Sequence, residues 1–285
     1  MITEARVSYN GVATRALSVS GDGTPIIALH GYADTADTWR GVLIGLEAAG
    51  RRAVAVDLPG FGYADPRAPG PMLGQFDGFV DDILAQCSPA VLIGNSLGAA
   101  TAVRAASRNP VRVKAIVALD DPLNARHWLA RLARSREVPE RVWSRLGRVR
   151  VPPTVLRRGV RCALARALYG PAGSCQAEVL DQWCDRLTTA NDLASLGRYA
   201  FQYAMETAGG HRNLTVTCPT LIIHGRRDRV IPVDSSRRLH HQVPGSEFVV
   251  LNRSGHCPQL DDPCEVVRLV LDFLRRSGDH VGRAG

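Results

Sequence analysis

Acyl-transfer chemistry at neutral pH needs a nucleophile, a base that takes its proton and an acid that holds the base. The chain offers the first in Gly94-Asn95-Ser96-Leu97-Gly98. The apolar run Ala90-Val91-Leu92-Ile93 precedes it, and Ala99-Ala100-Thr101-Ala102-Val103-Arg104-Ala105-Ala106, rich in the best helix former, follows. Strand, sharp turn and helix in that order lift a serine hydroxyl clear of a sheet. Glycine is needed on both sides because a side chain at 94 or 98 would collide with the neighbouring strand or helix. The helix N-terminus lies beneath the serine, where the Leu97 N–H can meet developing negative charge.

A serine hydroxyl attacks poorly unless a base takes its proton, and a near-neutral imidazole does this well. Of eight histidines, only His256 sits on a glycine-flanked loop, Ser254-Gly255-His256, just past a late strand, Glu247 to Leu251. Asp228, within Gly225-Arg226-Arg227-Asp228-Arg229-Val230-Ile231-Pro232, is the candidate acid. It would fix the imidazole tautomer and stabilise its cation. Asp120 and Asp121 are its rivals.

The elements that must position these residues alternate. Val7 to Val19 around Asn10-Gly11 reads as a hairpin. Pro25 to Leu29, Arg52 to Asp57, Ala90 to Ile93 and Val113 to Leu119 read as strands, with helices over 38–49, from Gly74 to Cys87 and after Ser96. This rhythm predicts a parallel sheet covered on both faces. It halts at Pro122. From there to about Arg212 the pattern is helical, and the strands resume at Pro219 to Gly225. Helices over 233–242 and 264–276 close the chain.

The 285 residues suffice for one large α/β domain with an insertion. No run is apolar enough to span a membrane, and the N-terminus lacks a signal-peptide pattern, so a soluble cytoplasmic protein is expected. The seven cysteines contain no C-x-x-C pair, which leaves a zinc site or redox dithiol unsupported and makes free buried thiols the expectation. The net charge of +8 is concentrated in one segment. Twelve arginines lie between Arg126 and Arg166, against Glu137 and Glu140. Such a run is either a solvated helix face or a contact for an anionic surface or substrate. It carries no nucleic-acid recognition motif.

With these pieces placed, the chain resembles the α/β-hydrolase family, in its serine-hydrolase branch, along most of its length. The matching residues are His30-Gly31-Tyr32, Asp57-Leu58-Pro59-Gly60-Phe61-Gly62, the Ser96 turn, Gly225 to Pro232 and Gly255-His256. The resemblance implies a mostly parallel eight-stranded sheet with a helical cap inserted after the sixth strand. That makes 1–121 and 213–285 the core and 122–212 the cap. It also implies a second oxyanion donor in the loop after the third strand, Tyr32 N–H, with Ala33 as the alternative. Some relatives carry the acid after the sixth strand, which keeps Asp120 and Asp121 open, while the Gly225 to Pro232 context favours Asp228. Relatives that open epoxides or remove halide use aspartate at the turn, and Ser96 argues against both.

The expected reaction is hydrolysis of a carboxylic ester of a small apolar or aromatic molecule, with no cofactor and no metal. The asparagine before the serine and the Ala-Thr pair after it also resemble hydrolases that split a C–C bond in ring-fission diketones. A thioesterase is a further alternative, as is a small-molecule-binding protein built on a hydrolase scaffold. Trp128, Trp143, Tyr169, Trp183, Tyr199, Phe201, Tyr203 and Met205 are candidate walls of the substrate pocket.

Overall fold

In the computed structural model, residues 1–125, 132, 135, 138–170, 177–211 and 214–278 are described. Eight strands form one sheet: β1 Thr3–Tyr9, β2 Val12–Val19, β3 Asp22–Leu29, β4 Arg51–Val56, β5 Ala90–Asn95, β6 Val113–Leu119, β7 Thr220–Gly225 and β8 Glu247–Leu251. Their spatial order is β1-β2-β4-β3-β5-β6-β7-β8. Only the pairings β1–β2 and β2–β4 are antiparallel. From β4 to the β8 edge the strands run parallel. Every residue of β5 and of β7 is buried, as continuous apolar runs in a two-sided sheet require.

Helices α1 Arg40–Ala48, α2 Met72–Cys87 and α3 Leu97–Arg108 connect the first strands. Among the described residues, four helices stand between β6 and β7: α4 Glu140–Gly147, α5 Pro153–Leu168, α6 Ala177–Arg186 and α7 Ala190–Glu206. α8 Asp234–Gln242, the single turn α9 Pro258–Asp261 and α10 Pro263–Arg276 follow. One apolar layer packs Phe76, Phe79 and Ile83 of α2, Val103 of α3 and Leu239 of α8 on one face of the sheet. The other packs Val42 and Leu46 of α1 with Val266, Val270 and Phe273 of α10 on the opposite face. A third, smaller cluster joins Leu156, Val160, Leu180, Trp183 and Leu187 of the inserted segment to Cys257 and Leu260.

Two boundaries differ from the sequence expectation for identifiable reasons. The segment expected as one helix over 38–49 opens with a 3₁₀ turn, Ala36–Trp39, because the Thr35 side chain accepts from the Asp37 N–H and starts the winding early. α2 begins before Gly74, since the Glu206 carboxylate of α7 accepts the Met72 and Leu73 N–H groups, each at 2.9 Å. A distant carboxylate caps that helix, and no local signal announces it. The described cysteines are free thiols, but only Cys184 and Cys257 are buried, while Cys162 and Cys264 are exposed. Cys175 and Trp128 lie outside the described residues.

Candidate active site

β5 runs into α3 through Ser96, whose backbone is left-handed (φ +53°, ψ −114°). A non-glycine residue held there stores strain that the surroundings must enforce. They do so tightly. A Cβ at Gly94 would stand 2.2 Å from the Gly98 carbonyl, and one at Gly98 would stand 2.1 Å from the Leu29 oxygen. The Ser96 N–H donates to Leu119 O of β6 at 2.8 Å, and Ser96 O accepts from the Ala100 N–H at 3.0 Å. The turn is thereby pinned to a strand on one side and a helix on the other.

The loops after β7 and β8 meet beside it. A Cβ at Gly225 would lie 1.9 Å from Gly255 O, so only glycine admits this approach. Across it, His256 Nδ1 and Asp228 Oδ2 are 2.7 Å apart. The other Asp228 oxygen accepts the Val230 and Ile231 N–H groups at 2.7 and 2.9 Å. Burial alone would raise the Asp228 carboxyl, but the His256 ring and the Ile231 amide outweigh it and hold the group below its ordinary range. An ionised carboxylate on Nδ1 leaves Nε2 as the basic nitrogen. The Asn95 amide donates to His256 O at 2.9 Å, tying the histidine loop to the residue beside Ser96.

Asp120, at the end of β6, is enclosed beside Asp228. Burial first, then the neighbouring Asp228 charge, pushes its carboxyl well above the carboxylate range. Its charged form is thus disfavoured, and its Oδ1 accepts the Gly225 N–H at 2.9 Å. Asp121 is bound instead to His211 at 2.8 Å. Neither rival acid bonds His256; Asp228 does. Asp120, His224 and Asp228 bring ligand-type atoms within 4.8 Å of one another. The His224 ring already meets Ser236 Oγ at 2.7 Å and Ile231 O at 3.1 Å, which accounts for it as a buried structural group.

Of the two expected oxyanion donors, Leu97 directly follows the serine and Tyr32 follows Gly31, which packs against it. Leu97 is the first residue of α3, so its N–H has no acceptor within the helix. In the loop after β3, a Cβ at Gly31 would lie 3.5 Å from Ser96 Cβ, and Tyr32 follows directly. The loop is braced from below. His30 is fully enclosed and burial lowers it to about 4, so the ring is neutral: Nδ1 lies 2.7 Å from Gly31 O and Nε2 accepts the Leu58 N–H at 2.8 Å. Asp57 accepts from Arg15 Nε, Ala36 N and Tyr63 N, holding the next loop in place. The Tyr32 hydroxyl donates to Leu196 O of α7 at 2.6 Å.

Of the candidate pocket walls, Trp183 and Tyr199 line a cavity of about 270 Å³ with Ala33, Phe61, Leu187 and Leu196. Trp143, Phe201 and Met205 instead line a second cavity between α4 and α7. Tyr169 is buried in the small inserted cluster, and Tyr203 packs on the main core. Sequence reasoning missed Arg67. Its half-buried guanidinium lies 4.3 Å from the Tyr199 ring centre, and its Nε is enclosed without an acceptor among the described residues. With Arg198 it lines a larger cavity, about 580 Å³, that shares Gly60 and Tyr199 with the first. An arginine in a Pro/Gly-rich loop carries no sequence signal of this placement.

Comparison with known proteins identifies the family and the fold. Residues 26–269 match the model of the Alpha/beta hydrolase family, and the chain belongs to that family. A 2-hydroxy-6-oxononadienedioate/2-hydroxy-6-oxononatrienedioate hydrolase of Cupriavidus pinatubonensis is 28% identical over 282 residues, covering 95% of this chain and 91% of its own. Among solved structures, a thermophilic esterase from Thermogutta terrifontis superposes with a TM-score of 0.70 at 20% identity, covering 96% of this chain and 99% of its own. Epoxide hydrolase A from Mycobacterium thermoresistibile gives 0.74 at 23%, covering 99% of this chain and all of its own (100%). Proteins named for different reactions share this shape, so the shape does not choose the bond that is cleaved.

Proposed function

We propose that the protein is a serine hydrolase that cleaves a carboxylic ester of a small apolar or aromatic molecule through an acyl-Ser96 intermediate. The observation that carries this reading is the buried 2.7 Å His256–Asp228 contact on a loop that Asn95 ties to the serine turn. Ser96 Oγ attacks the acyl carbon while His256 Nε2 takes its proton. The carbonyl electrons move onto oxygen, where the Leu97 and Tyr32 N–H groups receive the charge. Collapse expels the alkoxide, which takes the proton from His256, and water then attacks the acyl group by the same route and releases the acid. We assign residues 122–212 the role of a cap, whose Trp183, Leu196 and Tyr199 wall the acyl site.

A second reading, hydrolysis of a C–C bond in a ring-fission diketone, is favoured by two observations. Relatives that span almost the whole chain are named for such dioates. Arg67 and Arg198 also offer charge to an acidic substrate group. There the leaving group is a stabilised carbanion, protonated at carbon instead of oxygen. The deciding experiment sets p-nitrophenyl hexanoate beside a ring-fission diketone dioate, with fluorophosphonate labelling of the same protein. Ser96→Ala is expected to abolish labelling and to lower kcat on the order of 10⁶-fold. Faster turnover of the diketone selects the second reading, and undiminished labelling of the alanine variant removes both.

A further inference from the structure

The chemistry proposed above makes no use of the arginine run. Residues 141–177 contain eight arginines and no aspartate or glutamate. Arg157 and Arg161 are neutralised by Asp181 and Asp185 of α6. Arg141, Arg145, Arg148, Arg150, Arg158 and Arg166 are exposed, with no ion pair among the described residues. Exposed large apolar side chains gather on the same stretch: Val142 at 37%, Leu146 at 49%, Val149 at 54% and Val155 at 60%.

α4 explains the arrangement. No residue of it is buried. Its inner side packs on α7, with Trp143 edge-on to Phe201 at 5.5 Å and Gly147 against Asn191. On the outer side, Arg141, Arg145 and Arg148 recur at helical spacing, beside a parallel stripe of Val142, Leu146 and Val149. A merely solvated face has no use for that second stripe.

We propose that the outer face of α4 and the turn to α5 dock on an anionic lipid surface, arginines against the headgroups and the valine–leucine stripe entering the boundary with the acyl chains. The stripe is what favours lipid over a nucleic-acid backbone, since phosphate contact rewards the arginines alone. Glu140, the first residue of α4, turns away from this face to pair with Arg198 of α7. Docking is independent of the reaction assigned above, and its test reads binding alone.

The whole protein is floated with phosphatidylcholine vesicles with and without phosphatidylglycerol, at low salt and at ~1 M salt, where the screening length falls to about 3 Å. Capture by the phosphatidylglycerol vesicles, with release at high salt, is expected. Each arginine brought to such a surface tightens binding roughly fivefold, so the combined variant Arg141→Gln, Arg145→Gln, Arg148→Gln should bind about 100-fold more weakly. Val142→Ser with Leu146→Ser keeps the charge and should still lose binding, while affinity for a DNA duplex is unchanged. These positions are exposed and leave Trp143 in place, and thermal unfolding checks that each variant remains folded. Three results overturn the proposal: equal binding to both vesicle types, full binding by the triple variant, or full vesicle binding by the serine pair, which would mark a patch for any polyanion.

Discussion

The strand ends and the inserted helices are built to different tolerances. At the ends of β5, β7 and β8, every side chain that matters is enclosed, and three loops meet at distances that admit no extra atom. In α4 no residue is buried, and in the seventeen residues of α7 only Ala194 is. Contacts that hold the inserted segment to the core include Trp183 Nε1 to Asp34 at 3.2 Å, Tyr32 Oη to Leu196 O at 2.6 Å, Cys257 N to Leu168 O at 3.0 Å and the Glu206 cap on α2. Chemistry that requires positions fixed to tenths of an ångström sits where packing leaves no alternative. The inserted helices lie where a side chain can change without loss of the fold.

Glycine substitutions test the contrast most severely. Gly98→Ala drives a methyl group to 2.1 Å from the Leu29 oxygen, and backbone atoms cannot yield. A loss above about 4 kcal/mol is expected, read as failure to fold or a collapsed urea midpoint. Gly159→Ala in α5 meets nothing within 4 Å and should stabilise by about 0.5–1 kcal/mol, through helix propensity alone. Comparable losses at the two sites would end the distinction.

A second test stays within the strand ends. Asp228→Asn should lower kcat by about 10³–10⁴-fold, because the imidazole loses its orienting anion. Asp120→Asn should cost less than about tenfold, since burial already disfavours a charge at Asp120 and an amide oxygen can still accept the Gly225 N–H. Steady-state kcat on whichever substrate is turned over decides. Equal losses would move the acid to β6.

The junction between the two regions should respond to pH. Asp34 accepts from Thr35 N and from Trp183 Nε1, yet burial pushes its carboxyl up to about 7 against those bonds. A raised pKa means the folded state holds the proton more tightly. Its stabilising contribution is therefore complete below the unfolded value near 3.8, declines as pH rises, and is gone above about 7. The full loss is at most about 4 kcal/mol. Asp34→Asn cannot ionise and should flatten the fall of Tm between about pH 4 and 7. An unchanged slope would place the titration elsewhere.

Much of this was readable from the linear chain because its causes are local. The Gly-x-Ser-x-Gly turn, the continuous apolar strands and the break in the β/α rhythm at Pro122 depend on neighbours in sequence, so Ser96, the sheet and the inserted segment follow from pattern. His256 and Asp228 were legible through their glycine-flanked loops. What pattern could not decide was anything resting on residues brought together from far along the chain. Whether Asp120 or Asp228 meets the histidine depends on how the ends of β6, β7 and β8 stand side by side. Glu206 caps α2 from more than a hundred residues away, Asp34 takes up Trp183, and Arg67 comes to rest against Tyr199. Nor does the linear pattern show that valine and leucine stand exposed beside the arginines of α4. Propensity and turn chemistry act over a few residues, whereas burial, charge pairing and the shape of a cavity belong to the packed molecule.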